Sequence, residues 1–146
     1  MMDEPKLTTP EAALAECQRQ GRGHLKIFIG YAPSVGKTYS MLNEANRRAK
    51  RGEDIVIGYV EAHGREETDR QIGDLEVIPR KKVVCNGITL EETNAEAIIA
   101  RHPYMVVIDE LAHTNVPGSK NKKRYEEVEE ILCSGINVLT TLNIQH

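Results

Sequence analysis

The feature that most constrains this chain is a Gly-Lys-Thr triplet set between an apolar run and a helix-forming stretch. Leu25-Lys26-Ile27-Phe28-Ile29 is compact and apolar, the pattern of a buried strand. Gly30-Tyr31-Ala32-Pro33-Ser34-Val35-Gly36-Lys37-Thr38 follows, and Lys37 to Lys50 then reads as a helix closed by Arg51-Gly52. In a strand–loop–helix of this kind the backbone N–H groups of the loop and first helical turn face a bound phosphate. The helix dipole favours the negative charge there. Gly36 lets the backbone approach closely. Lys37 reaches the β- and γ-phosphates of ATP, and Thr38 offers a hydroxyl to Mg²⁺. The candidate nucleotide-binding set is Gly30, Pro33, Ser34, Val35, Gly36, Lys37, Thr38 and Tyr39. The strict phosphate-loop pattern would place its first glycine where Tyr31 stands; Gly30 lies one residue early.

The alternation continues. Asp54 to Val60, Tyr104 to Ile108 and Asn137 to Leu142 read as strong strands, and Glu76-Val77-Ile78 and Lys82-Val83-Val84 as two short ones broken by Pro79. Arg65 to Ile72 and Lys122 to Cys133 read as helices. Thr89-Leu90-Glu91-Glu92 has the form of a capping box ahead of a helix running to about Arg101. A short helix opens at Thr9-Pro10-Glu11 and stops at Gly21. Strands alternating with helices predict a P-loop NTPase-like α/β fold, three α/β/α layers around a mostly parallel sheet with right-handed crossovers. The expected organisation is a tail and short helix over 1–22, then one nucleotide-binding domain over 23–146. Ligands of such sheets sit beyond the carboxyl ends of the strands, so the residues after Ile29, Val60, Ile108 and Leu142 carry the interest.

Asp109-Glu110 ends the strand at Ile108. An acid there holds Mg²⁺, making Asp109 a metal ligand together with Thr38. Glu110 is the candidate catalytic base for an attacking water. Thr141 and Asn143 share one strand face, with Thr140 on the other, and can sense the γ-phosphate. Arg65 and His113, each in a loop beyond a strand end, are further candidates for that role. The alternative for Thr141 and Asn143 is strand-end hydrogen bonding to neighbouring loops, and for Arg65 hydrogen bonding within its own loop; His113 can contact nucleotide or Glu110. The cluster Lys120-Asn121-Lys122-Lys123-Arg124 reads as a solvated face, with Arg124 pairing to Glu127 or Glu130 along the helix.

A net charge of −3 argues against a nucleic-acid partner. No apolar run approaches the roughly 20 residues that span a bilayer. The opening Met1-Met2-Asp3-Glu4-Pro5 lacks the regions of a secretory signal. Cys17, Cys85 and Cys133 form no CxxC pair, which argues against a zinc site or redox motif and fits structural or incidental thiols in a reducing cytoplasm.

Four stretches together resemble the N-terminal domain of the KdpD potassium-sensor histidine kinases. They are Gly30 to Leu42, Val60-Glu61-Ala62-His63-Gly64-Arg65, Asp109-Glu110-Leu111-Ala112-His113-Thr114-Asn115-Val116-Pro117-Gly118-Ser119, and Thr140 to His146. The resemblance covers about residues 23–146, and its second and third stretches are more specific than the phosphate loop. It implies a cytoplasmic, regulatory Mg·ATP-binding domain of a two-component system controlling potassium uptake. Such a domain tunes kinase and phosphatase activity through a protein partner, a sensor kinase or response regulator. The family's loop also carries its first glycine one position early, matching Gly30; Ser34 stands where the family more often has glycine. The family's membrane segments and histidine-kinase core have no counterpart in these residues, so the expectation is a truncated or stand-alone module, a slow ATPase at most. Two other readings stay open. One is a small P-loop transferase, such as a nucleoside kinase or corrinoid adenosyltransferase; the other is a scaffold that binds no nucleotide.

Overall fold

The computed structural model describes residues 21–30, 35–61 and 66–144, the side chains of Val35, Glu67 and Thr68 apart. Its elements are β1 (Leu25–Gly30), α1 (Val35–Lys50), β2 (Ile55–Tyr59), α2 (Glu66–Ile72), β3 (Glu76–Val77), β4 (Lys81–Cys85), β5 (Ile88–Glu92), α3 (Ala95–Arg101), β6 (Met105–Ile108), α4 (Arg124–Cys133) and β7 (Asn137–Asn143). Five strands form one sheet in the order β1-β7-β6-β2-β3, and every pairing in it is parallel. The predicted α/β architecture and the mostly parallel sheet are therefore both present. The order has one direct consequence. β7, last in sequence, lies between β1 and β6, so the chain leaving β1 and the chain leaving β6 flank one edge.

The two faces of the sheet are dry for the reason given by strand periodicity. Ile55, Ile57, Met105, Val107 and Leu139 face α1 and pack on Met41, Leu42 and Ala45. Val56, Val106, Ile108 and Val138 face the other way, onto Ile98 of α3 and Val128, Ile131 and Leu132 of α4. Gly58 is required by this second packing, since a Cβ there would stand 2.8 Å from Ile98 Cδ1 and 3.0 Å from Val106 Cγ2. Before β1, Arg22 forks onto the Glu129 carboxylate of α4 at 2.8 and 2.6 Å.

One stretch folds against expectation. Thr89-Leu90-Glu91-Glu92 is strand β5, not a helix cap, and pairs antiparallel with β4 from Lys81↔Glu92 to Cys85↔Ile88. The turn is Asn86-Gly87, both at positive φ (52° and 78°), the dipeptide that most favours a two-residue hairpin. The helix that follows is capped by Asn94, whose side chain accepts from Ala97 N–H at 3.1 Å. A turn signal thus outweighs the capping pattern, and the helix opens three residues later, at Ala95. The expectation of structural or incidental thiols holds for Cys85, a free thiol, and not for Cys133, which is disulfide-bonded. Spacing along the chain does not report which cysteines the fold brings together. No helix among the described residues is long and apolar enough to cross a membrane.

Candidate functional site

The parallel register carries the ends of β1, β7, β6 and β2 to a common edge. Ile144 N–H, just past β7, donates to the Gly30 carbonyl at 2.7 Å. The Lys37 side chain folds back over Gly30, with Cδ 2.9 Å and Nζ 3.2 Å from where a Cβ would be. Glycine at position 30 leaves room for that lysine, a physical reason for a first glycine placed there.

Thr38, in the first turns of α1, donates its hydroxyl to Asp109 Oδ2 at 3.2 Å, across 71 positions of sequence. Asp109 is 2% exposed, and its carboxylate is held from three further directions. Glu61 N–H donates to Oδ2 at 3.3 Å, Glu110 N–H to Oδ1 at 3.2 Å, and the Thr141 hydroxyl donates to Oδ1. Glu110 turns the chain sharply, with φ of 59°, a conformation disfavoured for a residue bearing a Cβ. Bonds from its N–H to Thr141 Oγ1 at 2.9 Å and from Leu111 N–H to the Thr141 carbonyl at 2.9 Å hold the turn. A hydroxyl and a buried carboxylate side by side at the start of α1 are the donor types that Mg²⁺ takes alongside phosphate oxygens and water. Thr38 and Asp109 fit that ion.

The other candidates divide. Glu110, His113, Thr141 and Asn143 line a shallow cleft of about 280 Å³ at this edge. Asn143 Oδ1 is buried without a partner among the described residues. The Thr141 hydroxyl is committed to Asp109 and to the Glu110 N–H. His113 bonds through Nε2 to Glu92 at the end of β5, at 3.0 Å across 21 positions of sequence. Thr140 is fully buried on the opposite strand face. Val35 begins α1, Gly36 is its second residue, and Tyr39 is 55% exposed on the same helix. Pro33, Ser34 and Arg65 lie outside the described residues.

Sequence reasoning missed a second set of residues beside the site. Arg124 is not on a solvated face paired to Glu127 or Glu130; it is 0% exposed. Its Nη1 donates to the Asp109 carbonyl at 2.8 Å and its Nη2 to Glu92 Oε1 at 3.2 Å. Glu92, 2% exposed, also accepts from Val116 N–H at 2.8 Å, so it pins the loop after β6. The guanidinium carbons of Arg124 and Arg80 lie 3.9 and 4.1 Å over the Tyr59 ring. One signal was available: a cation in the first turn of a helix opposes the macrodipole, which points to tertiary partners.

Glu127 lies in the same region, and burial pushes its carboxyl up to about 7. The Asn115 amide and Arg124 oppose that rise, while Glu92 and Glu130 add to it. The folded state therefore binds a proton more tightly than the unfolded chain, so this group's contribution to stability falls as pH rises from about 4.5 to about 7. Glu127→Gln should remove that slope and stabilise the fold near neutral pH by on the order of 1–3 kcal/mol. Urea unfolding at the two ends of the window measures it; an unchanged slope in the variant would refute the assignment.

The family model described as the KdpD osmosensitive K⁺ channel His kinase sensor domain matches residues 21–146. The Sensor protein KdpD of Mycobacterium tuberculosis is 50% identical over 138 residues, 94% of this chain and 16% of that protein. The Sensor protein KdpD of Escherichia coli is 43% identical over 146 residues, 100% of this chain and 16% of that protein. The Putative sensor protein KdpD of a Synechocystis species is 51% identical over 125 residues, 86% of this chain and 34% of that protein. The chain thus spans a minor part of the length of these relatives. With the family model covering nearly all of the described residues, the chain belongs to the KdpD family of osmosensitive potassium-channel histidine-kinase sensor domains.

Proposed function

We propose that this domain binds Mg·ATP at the edge between β1 and β6 and reports its occupancy to a signalling partner in a potassium-responsive two-component pathway. The observation that carries the reading is the meeting of Thr38 and Asp109 at 3.2 Å, with Lys37 folded over Gly30 beside them. These are the three side-chain functions of a phosphate-loop site, brought together across the sheet. Lys37 would bind the β- and γ-phosphates, and the α1 N-terminus would receive their negative charge. Thr38 and Asp109 would hold Mg²⁺, which when bound neutralises charge on the phosphates. Glu110 is the assigned general base, in a site whose turnover is slow. The partner reading rests on the relatives, which are named sensor proteins. It places the domain in the cytoplasm, with a sensor kinase or response regulator as the acceptor of the signal.

Calorimetric titration of Mg·ATP into the wild-type chain tests the reading, with the same titration in excess chelator as its control. Saturable binding that weakens without Mg²⁺ is the expected result. Absence of binding in both titrations would leave a scaffold. Fast turnover on addition of a nucleoside or a corrinoid would instead mark a transferase.

A further inference from the structure

We infer that Arg124 and Tyr59 are positioning residues for Asp109, setting how strongly the nucleotide site depends on Mg²⁺. The inference rests on the proposal that Asp109 holds that ion. Two hydrogen-bond routes lead from this stacked pair to the two ends of Asp109. The first is direct: Arg124 Nη1 donates to the Asp109 carbonyl at 2.8 Å. The second runs through the ring lying 3.9 Å beneath the guanidinium. The Tyr59 phenol donates to Glu61 Oε2 at 2.9 Å, and Glu61 N–H donates to Asp109 Oδ2 at 3.3 Å. Oδ2 is the oxygen that also meets Thr38 at 3.2 Å.

The position of this clamp is informative. The backbone passes at Asp109 from extended β6 into the left-handed turn of Glu110, with φ of 59°. A donor on the Asp109 carbonyl fixes that peptide plane, and with it the direction of the carboxylate. A charge buried as deeply as Arg124 is poorly repaid in stability alone, since apolar side chains of similar volume often serve as well. The arrangement also opposes the dipole of α4, at whose first position Arg124 sits. Both costs point to a task in orienting groups. Glu92 completes it by fixing the second arm of the guanidinium at 3.2 Å, so that the fork cannot rotate away from the carbonyl.

The test is an Mg²⁺ titration of the binding of a fluorescent ATP derivative to the wild-type chain, Tyr59→Phe and Arg124→Lys. Tyr59→Phe keeps the ring beneath the guanidinium and deletes the phenolic donor alone, so it is expected to fold. Each variant should raise the Mg²⁺ midpoint roughly 3- to 10-fold, the scale of one lost hydrogen bond, with Mg²⁺-free binding within about 2-fold of wild type. A structural role alone would lower the melting temperature and leave the midpoint in place. Wild-type midpoints in both variants, with the wild type binding normally, would overturn the inference and spare the nucleotide site. A wild type that binds nucleotide with no response to Mg²⁺ would overturn the role of Asp109 and this inference together.

Discussion

Arg124→Met should cost about 3–5 kcal/mol of folding stability, the scale of breaking a buried ion pair by removing one partner. The loss has three sources. The Asp109 carbonyl is left without the Nη1 donor at 2.8 Å. Glu92, 2% exposed, loses the guanidinium that faces it at 3.2 Å. The contact of the guanidinium with the Tyr59 ring at 3.9 Å is lost as well. Against a total stability of roughly 5–15 kcal/mol, such a loss is large enough to leave part of the protein unfolded. Urea denaturation followed by circular dichroism measures it. Adding Glu92→Gln to the variant should return part of the loss, because the stranded charge is then gone. A cost below about 1 kcal/mol would match the solvated pairing that helix spacing suggested, and would count against the buried network.

Lys37→Ala should weaken Mg·ATP binding by about 1.5–3 kcal/mol, the worth of a charge-assisted hydrogen bond. In affinity that is roughly 10- to 150-fold. The change should barely alter stability, since Lys37 is half-buried at the start of α1, outside both apolar clusters. Gly30→Ala makes an instructive contrast. Its added Cβ would stand 2.9 Å from Lys37 Cδ, near the flexible end of that side chain. It should displace the ammonium without removing it, and so weaken binding less than Lys37→Ala does. Calorimetry on the three proteins gives the order. Equal affinity of Lys37→Ala and wild type would mean that phosphate is not bound at this loop, and the proposed function would fall.

Much of the scaffold was legible from residues near one another in the chain. The runs at Leu25–Gly30, Ile55–Tyr59, Met105–Ile108 and Asn137–Asn143 are apolar and bounded by turn residues, and each is a strand of the parallel sheet. Asp109 could be singled out because it ends such a strand, and Thr38 because it follows Gly36-Lys37. What these readings could not contain is strand order. Thr38 meets Asp109 because β7 inserts between β1 and β6, a choice made by packing across the whole sheet. The hairpin of β4 and β5 was missed although Asn86-Gly87 announces it, because Thr89-Leu90-Glu91-Glu92 also fits a helix cap.

The sequence by itself determined the side chains on offer: a Gly-Lys-Thr triplet between strand and helix, an acidic strand end, and the alternation that makes a parallel sheet. Those depend on dihedral preferences and on side-chain periods of two or 3.6, which act over a few neighbouring residues. Only the tertiary structure decided which groups are spent and which remain. Arg124 changed from a surface charge to a buried clamp by meeting Glu92 across 32 positions. The Thr141 hydroxyl was committed to Asp109 across another 32, and His113 to Glu92 across 21. The environment of a polar group is set by whatever the fold packs around it, and those neighbours are distant in the chain.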